Sequence, residues 1–352
     1  MAARRTPPAC IAVDWSGALS GERKRIWLAE TRWNSAEKAA DASCSRHERA
    51  PAIDAVPAGF GAYAEARGAA MARGAVLADA TVHAQTSAQA DVPRWDITRA
   101  TDVSHRAGGA RLTRLECGRN RPETIAELIA SARRDSRVVV GLDFAFSGPA
   151  WFLARIGVKS ARELWERVAR DGERWLAESP HPFWGKPGVR CPAFDDAHPA
   201  WRATEGEAVR ERGIGPKSVF QIGGAGSVGT GSLRGMPYLR DLQDAGFAIW
   251  PFDPPRLPMA VEIYPRQLTG PVNKSSRVAR ALYLQARFAD QPDEMLRLAE
   301  SSEDAFDAAV SALRMQRCAR QLLKGPVAYL PSDDLEGRIW RPARDVVVER
   351  CA

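Results

Sequence analysis

The chain has 352 residues, enough for one large or two smaller domains, and its 45% hydrophobic and 26% charged residues are typical of a folded globular protein. No apolar run reaches the length of a membrane span, and residues 1–13 lack the apolar core of a secretion signal. These absences predict a cytoplasmic protein that does not associate with membranes. The formal net charge of +7 suits a polyanionic partner such as nucleic acid, or equally a solvated arginine-rich surface.

The cysteine and histidine residues give no metal-binding motif. The six cysteines include no CxxC pair, and the five histidines include no HxxxH pair. Structural and catalytic zinc sites are built from such spacings, so the sequence argues against zinc.

The first part of the chain predicts a β-hairpin followed by an insertion. Residues 10–13 are interpreted as a buried strand that ends at Asp14, and a turn at residues 15–21 leads to a second strand at residues 25–30. Residues 33–107 are rich in Ala, Arg and Gly and keep no period, which predicts a long insertion of low order.

Regular structure resumes with a strand, a helix and a second strand. The strand is predicted at residues 111–117, and Asn120 is the expected cap of a helix with Pro122 in its first turn. The continuous apolar run at residues 137–142 predicts a strand in a sheet that is covered on both faces, and this strand ends at Asp143.

Residues 151–232 are interpreted as an insertion of loops and a helix, and residues 331–352 as a C-terminal tail on a single domain that spans residues 1–330. Helices are predicted at residues 160–178, 237–245, 275–288, 293–299 and 303–323. Strands are predicted at residues 218–222, 247–252 and 259–263, and an ordered loop at residues 180–201.

Acidic residues occupy the positions where ligand-binding groups are expected in an α/β sheet. Asp14 and Asp143 each end a strand, and ligands bind outside the carboxyl ends of the strands of such sheets. Glu262 stands inside an apolar run, where an unpaired acid would be costly. Asp304 and Asp307 share one face at the start of the last long helix, where negative charge is favoured.

Each of these acids also has a purely structural interpretation. Asp14 and Asp143 could cap turns, Glu262 could pair with an arginine, and Asp304 could cap a helix. As a cluster, however, the acids need a counter-charge, which a divalent cation with oxygen ligands supplies without Cys or His. Two such ions about 4 Å apart activate a water and stabilise the leaving oxygen in phosphodiester hydrolysis.

Four stretches of the sequence resemble one family, the predicted ribonuclease-H-like nucleases grouped as domain of unknown function 429. The stretches are residues 11–17 (IAVDWSG), 140–146 (VGLDFAF), 261–265 (VEIYP) and 303–308 (EDAFDA). The order of elements, a strand with an Asp, a hairpin, a third strand, a helix, a strand with an acid and a late helix with acids, also follows the ribonuclease-H-like plan. The resemblance implies an α/β fold with a mixed sheet and flanking helices.

By the same resemblance, the expected ligands of catalytic Mg²⁺ or Mn²⁺ are Asp14, Asp143, Glu262, and Asp304 or Asp307. The expected activity is metal-dependent hydrolysis of nucleic acid.

A glycine-rich loop adds a weaker phosphate-binding hypothesis. Residues 224–229 spell GxGxxG, as in dinucleotide-binding folds, but Gly231, Gly235 and Pro237 are expected to interrupt the helix that must follow. Either a phosphate-binding nest of backbone amides or a plain flexible loop fits the segment. The candidate phosphate-binding residues are Ser16, Gly17, Gly224, Gly226 and Ser227.

Three functions remain open at this stage. The first is a metal-dependent nuclease. The second is a nucleotide-binding phosphotransferase related to sugar kinases and actin-like ATPases, with phosphates held by the hairpin turn at residues 14–21. The third is a non-catalytic binding protein of the same fold.

Overall fold

The computed structural model describes residues 6–34, 109–207, 215–224, 226–323 and 330–342. The strands in these ranges are β1 (Ala9–Asp14), β2 (Trp27–Asn34), β3 (Gly109–Glu116), β4 (Val138–Leu142), β5 (Ala248–Trp250) and β6 (Met259–Glu262). The helices of the first half are α1 (Glu22–Arg25), α2 (Arg121–Arg134), α3 (Ala150–Arg155), α4 (Ala161–Glu178) and α5 (Ala203–Gly206). The later helices are α6 (Val228–Asp244), α7 (Pro265–Thr269), α8 (Arg277–Phe288), α9 (Asp293–Ala299), α10 (Glu303–Arg317), α11 (Ala319–Leu322) and α12 (Asp333–Glu336).

The strands form one mixed sheet in the order β3-β2-β1-β4-β6-β5. Strands β1, β2 and β3 are antiparallel neighbours, as the predicted hairpin requires. Strands β4, β6 and β5 continue the sheet parallel to β1. The predicted α/β class with a mixed sheet and flanking helices is therefore confirmed.

Helices cover both faces of the sheet, which explains why every position of the central strands β1 and β4 is buried. In β1, Ile11 and Val13 pack in one buried cluster with residues of α2, α4 and α6. Cys10 and Ala12 point to the other face and pack in a second cluster with residues of α8, α9 and α10. Because side chains alternate along a strand, the parity of a position decides which set of helices it contacts.

Local capping signals place several helices where the sequence predicts them. Asn120 caps α2 in a capping box, in which its side chain accepts from Glu123 N at 2.9 Å and the Glu123 carboxylate accepts from Asn120 N at 3.1 Å. The side chain of Ser160 caps α4 by accepting from Glu163 N at 3.2 Å. These helices start where a side chain can satisfy backbone N–H groups of the first turn.

Helix α6 contradicts the expectation that glycines and a proline interrupt this segment. It begins at Val228, nine residues before the predicted start, and runs through Gly231, Gly235 and Pro237. A Cβ on Gly235 would lie 2.8 Å from the ring of Phe144, so only glycine permits this approach. Close packing against the core thus outweighs the poor helix propensity of these residues.

Two further segments differ from their predicted form. Residues 218–222 form no strand of the sheet and only an isolated bridge between Trp184 and Gln221, so the glycine loop lacks the preceding sheet strand of a dinucleotide-binding unit. In the segment interpreted as a C-terminal tail, Trp340 is buried and Ile339 forms a β-bridge with Glu262.

The insertion predicted at residues 33–107 lies outside the described residues except for Trp33 and Asn34, which end β2.

The helices that the structure describes do not include one whose length and apolar character would suffice to cross a membrane.

Candidate active site

Asp14 and Asp143 lie side by side at the carboxyl ends of the two central parallel strands. In the register of β1 and β4, Val13 pairs with Leu142, and Asp143 N donates to Val13 O at 3.1 Å. The Asp14 and Asp143 side chains are close enough that each carboxyl group changes the pKa of the other. The expectation that two strand ends bring these acids together is therefore met by the register of the sheet.

Helix α10 supplies two more acids to the same place. It packs across β1 and β2, and Ser302 caps its first turn by accepting from Ala305 N at 3.0 Å. Asp307 is buried on the face of α10 that meets the sheet, whereas Asp304, one turn earlier, is half-buried. Both lie within electrostatic reach of Asp14.

Burial and mutual repulsion make the charged forms of these carboxylates unfavourable. Desolvation, reinforced by Asp143, Asp307 and Asp304, holds the pKa of Asp14 well above its usual range. Desolvation is also the main cause that raises the pKa of Asp143, to about 8. The pKa values of Asp304 and Asp307 are raised for the same main reason.

Lys274 is the cation that faces this cluster most directly. Its ammonium forms an ion pair with Asp307 Oδ2, and its charge favours the ionised form of all four aspartates. Among the described residues, Asp307 Oδ1 is buried without a hydrogen-bond partner. One ammonium thus faces more carboxylates than it can neutralise.

Glu262 is the predicted ligand that the fold directs elsewhere. It pairs with Leu142 in the register of β6 and β4. Glu262 lies two residues after Ala260, so both side chains point to the same face of the sheet, where Ala260 packs in the cluster with α2, α4 and α6. Its Oε1 accepts from Arg202 at 2.5 Å, and its Oε2 accepts from Arg202 at 2.9 Å and from Phe146 N at 2.8 Å. Both oxygens are therefore engaged on the face opposite α10.

A cavity of about 430 Å³ opens beside Asp14 and Asp304. Its lining residues come from the end of β1, the following turn, α1, the start of α6 and α10, namely Asp14, Trp15, Ser16, Gly17, Ala18, Arg25, Ser227, Thr230 and Asp304. The predicted phosphate-binding residues Ser16, Gly17 and Ser227 thus share one cavity with the first acid.

Two arginines hold the turn that forms this cavity. Arg121 donates to Ser16 O at 3.1 Å and to Ala18 O at 3.0 Å, and Arg234 donates to Gly17 O. Gly17 packs so closely on α6 that a Cβ there would lie 2.5 Å from Gly231 N. The turn is therefore fixed between α2 and α6 and holds Ser16 and Gly17 in place beside Asp14.

Gly224 and Gly226 have a different part in the structure. Both adopt positive φ angles, 78° and 73°, in the loop that precedes α6, where glycine is the favoured residue. Neither is among the residues that line the cavity beside Asp14. The positive φ angles of the turn are therefore sufficient to explain why glycines occupy these two positions.

Comparison of the chain with protein-family models, with curated proteins and with solved structures finds no match.

The chemistry of the donor set fits a hard divalent cation. The groups at the strand ends are carboxylates, which suit Mg²⁺ or Mn²⁺, and the buried Asp307 Oδ1 is without a partner. Within the described ranges, no three His, Cys, Asp or Glu side chains are already arranged so that they could hold an ion together. The ion pair with Lys274 occupies Asp307 Oδ2, so Asp307 would offer its other oxygen to an ion.

Three residues of the site have no signal in the sequence. Lys274 stands in a short connection between α7 and α8, and Arg202 precedes the four-residue helix α5. Arg25 ends α1 in a segment that the sequence predicts as the start of a strand. Each reaches its partner through contacts distant in sequence, which periodicity and motif spacing do not reveal.

Proposed function

We propose that this protein is a divalent-metal-dependent phosphodiesterase that hydrolyses nucleic acid, with Asp14, Asp143 and Asp307 as the metal ligands and Asp304 at the rim. The observation that supports it most is the convergence of these carboxylates at one edge of the sheet, with a raised pKa at each and one lysine among them. Buried like charges are costly, and perturbed ionisable groups of this kind mark functional sites.

The topology supports a ribonuclease-H-like fold and, with it, the resemblance to the family of domain of unknown function 429. Three antiparallel strands, a fourth strand parallel to the first and an acid-bearing helix packed on them follow that plan. Strand β5 extends the sheet by one strand at the far edge. The acids that end β1, follow β4 and stand in α10 support the assignment of the metal ligands to Asp14, Asp143 and Asp307.

The cavity beside Asp14 gives a place for the scissile phosphate. Arg25 contributes positive charge, and the start of the 17-residue helix α6 contributes the positive end of its dipole through Ser227 and Thr230. A bound divalent ion would lower the pKa of a coordinated water and stabilise the charge on the leaving oxygen. Asp14 and Asp143 would orient that ion, and the fixed turn at Ser16 and Gly17 would orient the phosphate.

The direct test measures cleavage of labelled single-stranded and duplex DNA and RNA with Mn²⁺ or Mg²⁺. We expect Asp14→Asn to lower the rate by at least about a hundredfold, because a ligand of the reacting centre is lost, and to leave the melting temperature within a few degrees. Asp196→Asn, at an exposed acid, is the matched control and should retain full activity. Undiminished cleavage by the Asp14 variant would refute the proposal.

A second experiment tests whether Arg25 contacts a phosphate of the nucleic acid. Removing the charge of Arg25 should weaken nucleic-acid binding and reduce the slope of log K against log salt concentration by about one. An unchanged salt dependence in Arg25→Met would exclude this residue from the binding surface.

The same cavity also supports the phosphotransferase alternative. The turn after β1 forms part of its lining, and in that class of protein this turn holds phosphates. Calorimetry with ATP and Mg²⁺ distinguishes the two functions, since tight ATP binding would favour the phosphotransferase. Binding of nucleic acid without cleavage in any metal would favour the non-catalytic alternative.

A further inference from the structure

Lys274 is held in place by the protein backbone. Arg280, which is buried, donates to Lys274 O and also binds Glu300 O, at 3.0 Å from its Nε and 2.7 Å from its Nη2. Glu300 lies just before α10, which carries Asp307. The connection that bears Lys274 is thus fastened to the segment leading into α10.

Few carboxylate oxygens are left for a metal ion by the surrounding contacts. Both carboxylate oxygens of Glu262 are bound by Arg202, and Asp307 Oδ2 is bound by Lys274. The remaining candidate ligands are Asp14, which is buried, Asp143, which is partly buried, and the buried and unpartnered Asp307 Oδ1. Two neighbouring ions each need several protein oxygens and a carboxylate that bridges them, which is more than this set provides.

The charges of the site also favour one divalent ion rather than two. Once Asp14, Asp143 and Asp307 are ionised, they carry three negative charges, which the ammonium of Lys274 and, more weakly, the guanidinium of Arg266 compensate only in part. One divalent ion neutralises this remainder, whereas a second would leave an excess of positive charge among desolvated groups. Asp304 is more exposed and has Arg25 near it, so it stands outside this balance.

We propose that the site holds one divalent ion rather than two, and that the ammonium of Lys274 permanently takes the second cation position beside Asp307. This inference rests on the proposed metal-dependent function. It replaces the two-ion arrangement of the sequence-based hypothesis with one ion and one fixed lysine.

Isothermal titration calorimetry of the full chain with Mn²⁺ tests this inference. We expect one Mn²⁺ per chain for the unaltered protein and two for Lys274→Met, which keeps the length of the side chain and removes the charge that excludes the second ion. Lys159→Met, at an exposed lysine, is the matched control and should bind one. Two ions in the unaltered protein, or one ion in the Lys274 variant, would overturn the inference.

Electron paramagnetic resonance provides a measurement that needs no variant. We expect the unaltered protein to give the spectrum of isolated Mn²⁺, with ion beyond one equivalent appearing as free Mn²⁺ in solution. A spectrum of two exchange-coupled ions would refute the role of Lys274 while leaving metal-dependent function intact. If the unaltered protein binds no Mn²⁺ at all, both this inference and the proposed metal site are wrong.

Discussion

Arg202 binds both carboxylate oxygens of Glu262, with Nη2 2.5 Å from Oε1 and Nη1 2.9 Å from Oε2. The same guanidinium also binds Glu205, and all three side chains are buried. A residue that the sequence offers as a metal ligand is thus part of a charge network that joins β6 to α5. Glu262 therefore has a structural partner of its own, whereas Asp14 and Asp143 lie on the face of the sheet that α10 covers.

Removing the cation of this network should be strongly destabilising. In Arg202→Met, Glu205 and Glu262 would remain buried without their counter-charge, and we expect the free energy of unfolding to fall by about 3–5 kcal/mol. Urea denaturation followed by circular dichroism measures this loss. Arg162→Met, which breaks an exposed pair with Asp244, should cost at most about 1 kcal/mol. Equal losses in the two variants would contradict a special role of the buried pair.

Glu262 and Asp14 should differ in what their loss affects. Glu262→Gln removes a charge bound to Arg202, so we expect a stability loss of about 1–3 kcal/mol with the Mn²⁺ stoichiometry unchanged. Asp14→Asn should instead abolish Mn²⁺ binding with little loss of stability. Calorimetry and denaturation on the same preparations separate the two effects. Loss of Mn²⁺ binding in a folded Glu262→Gln protein would show that Glu262 is a ligand after all.

The raised pKa of Asp143 makes the stability of the metal-free protein depend on pH. Burial raises this pKa from 3.8 to about 8, so the folded protein keeps a proton between these values that the unfolded chain has released. The free energy of unfolding should therefore fall as the pH rises from about 4 to 8, by up to about 1.4 kcal/mol per pH unit.

The variant Asp143→Asn isolates this effect, because it cannot lose the proton. Denaturation at a series of pH values in a chelator should give a shallower decline for the variant than for the unaltered protein. Parallel curves would mean that Asp143 titrates alike in the folded and unfolded states.

The close packing of Gly17 on α6 predicts a cost for any side chain there. The Cβ of Gly17→Ala would lie 2.5 Å from Gly231 N, so the turn beside the cavity must shift, at about 1–3 kcal/mol of stability. Gly206→Ala is the control, since a Cβ at this helical position meets no atom within 4 Å and should be neutral or stabilising by up to about 1 kcal/mol. Equal melting temperatures of both variants would contradict the tight contact.

Much of the fold can be predicted from the sequence because its signals are local. Apolar runs predict β1 and β4, a cap at Asn120 predicts α2, and a cap at Ser160 predicts α4, since these signals involve residues within a few positions of one another. The positions of Asp14 and Asp143 at strand ends follow from the same runs. Adjacent parallel strands then bring the two acids together.

The tertiary structure decided the features that depend on contacts distant in sequence. The register of β6 against β4 sets the face of Glu262, and a shift by one residue would have turned it toward α10. Helix α6 contains Gly235 where Phe144 packs against its backbone, and Lys274 reaches Asp307 from 33 residues away. Such contacts form only when the sheet and its helices are assembled, so neither periodicity nor motif spacing records them.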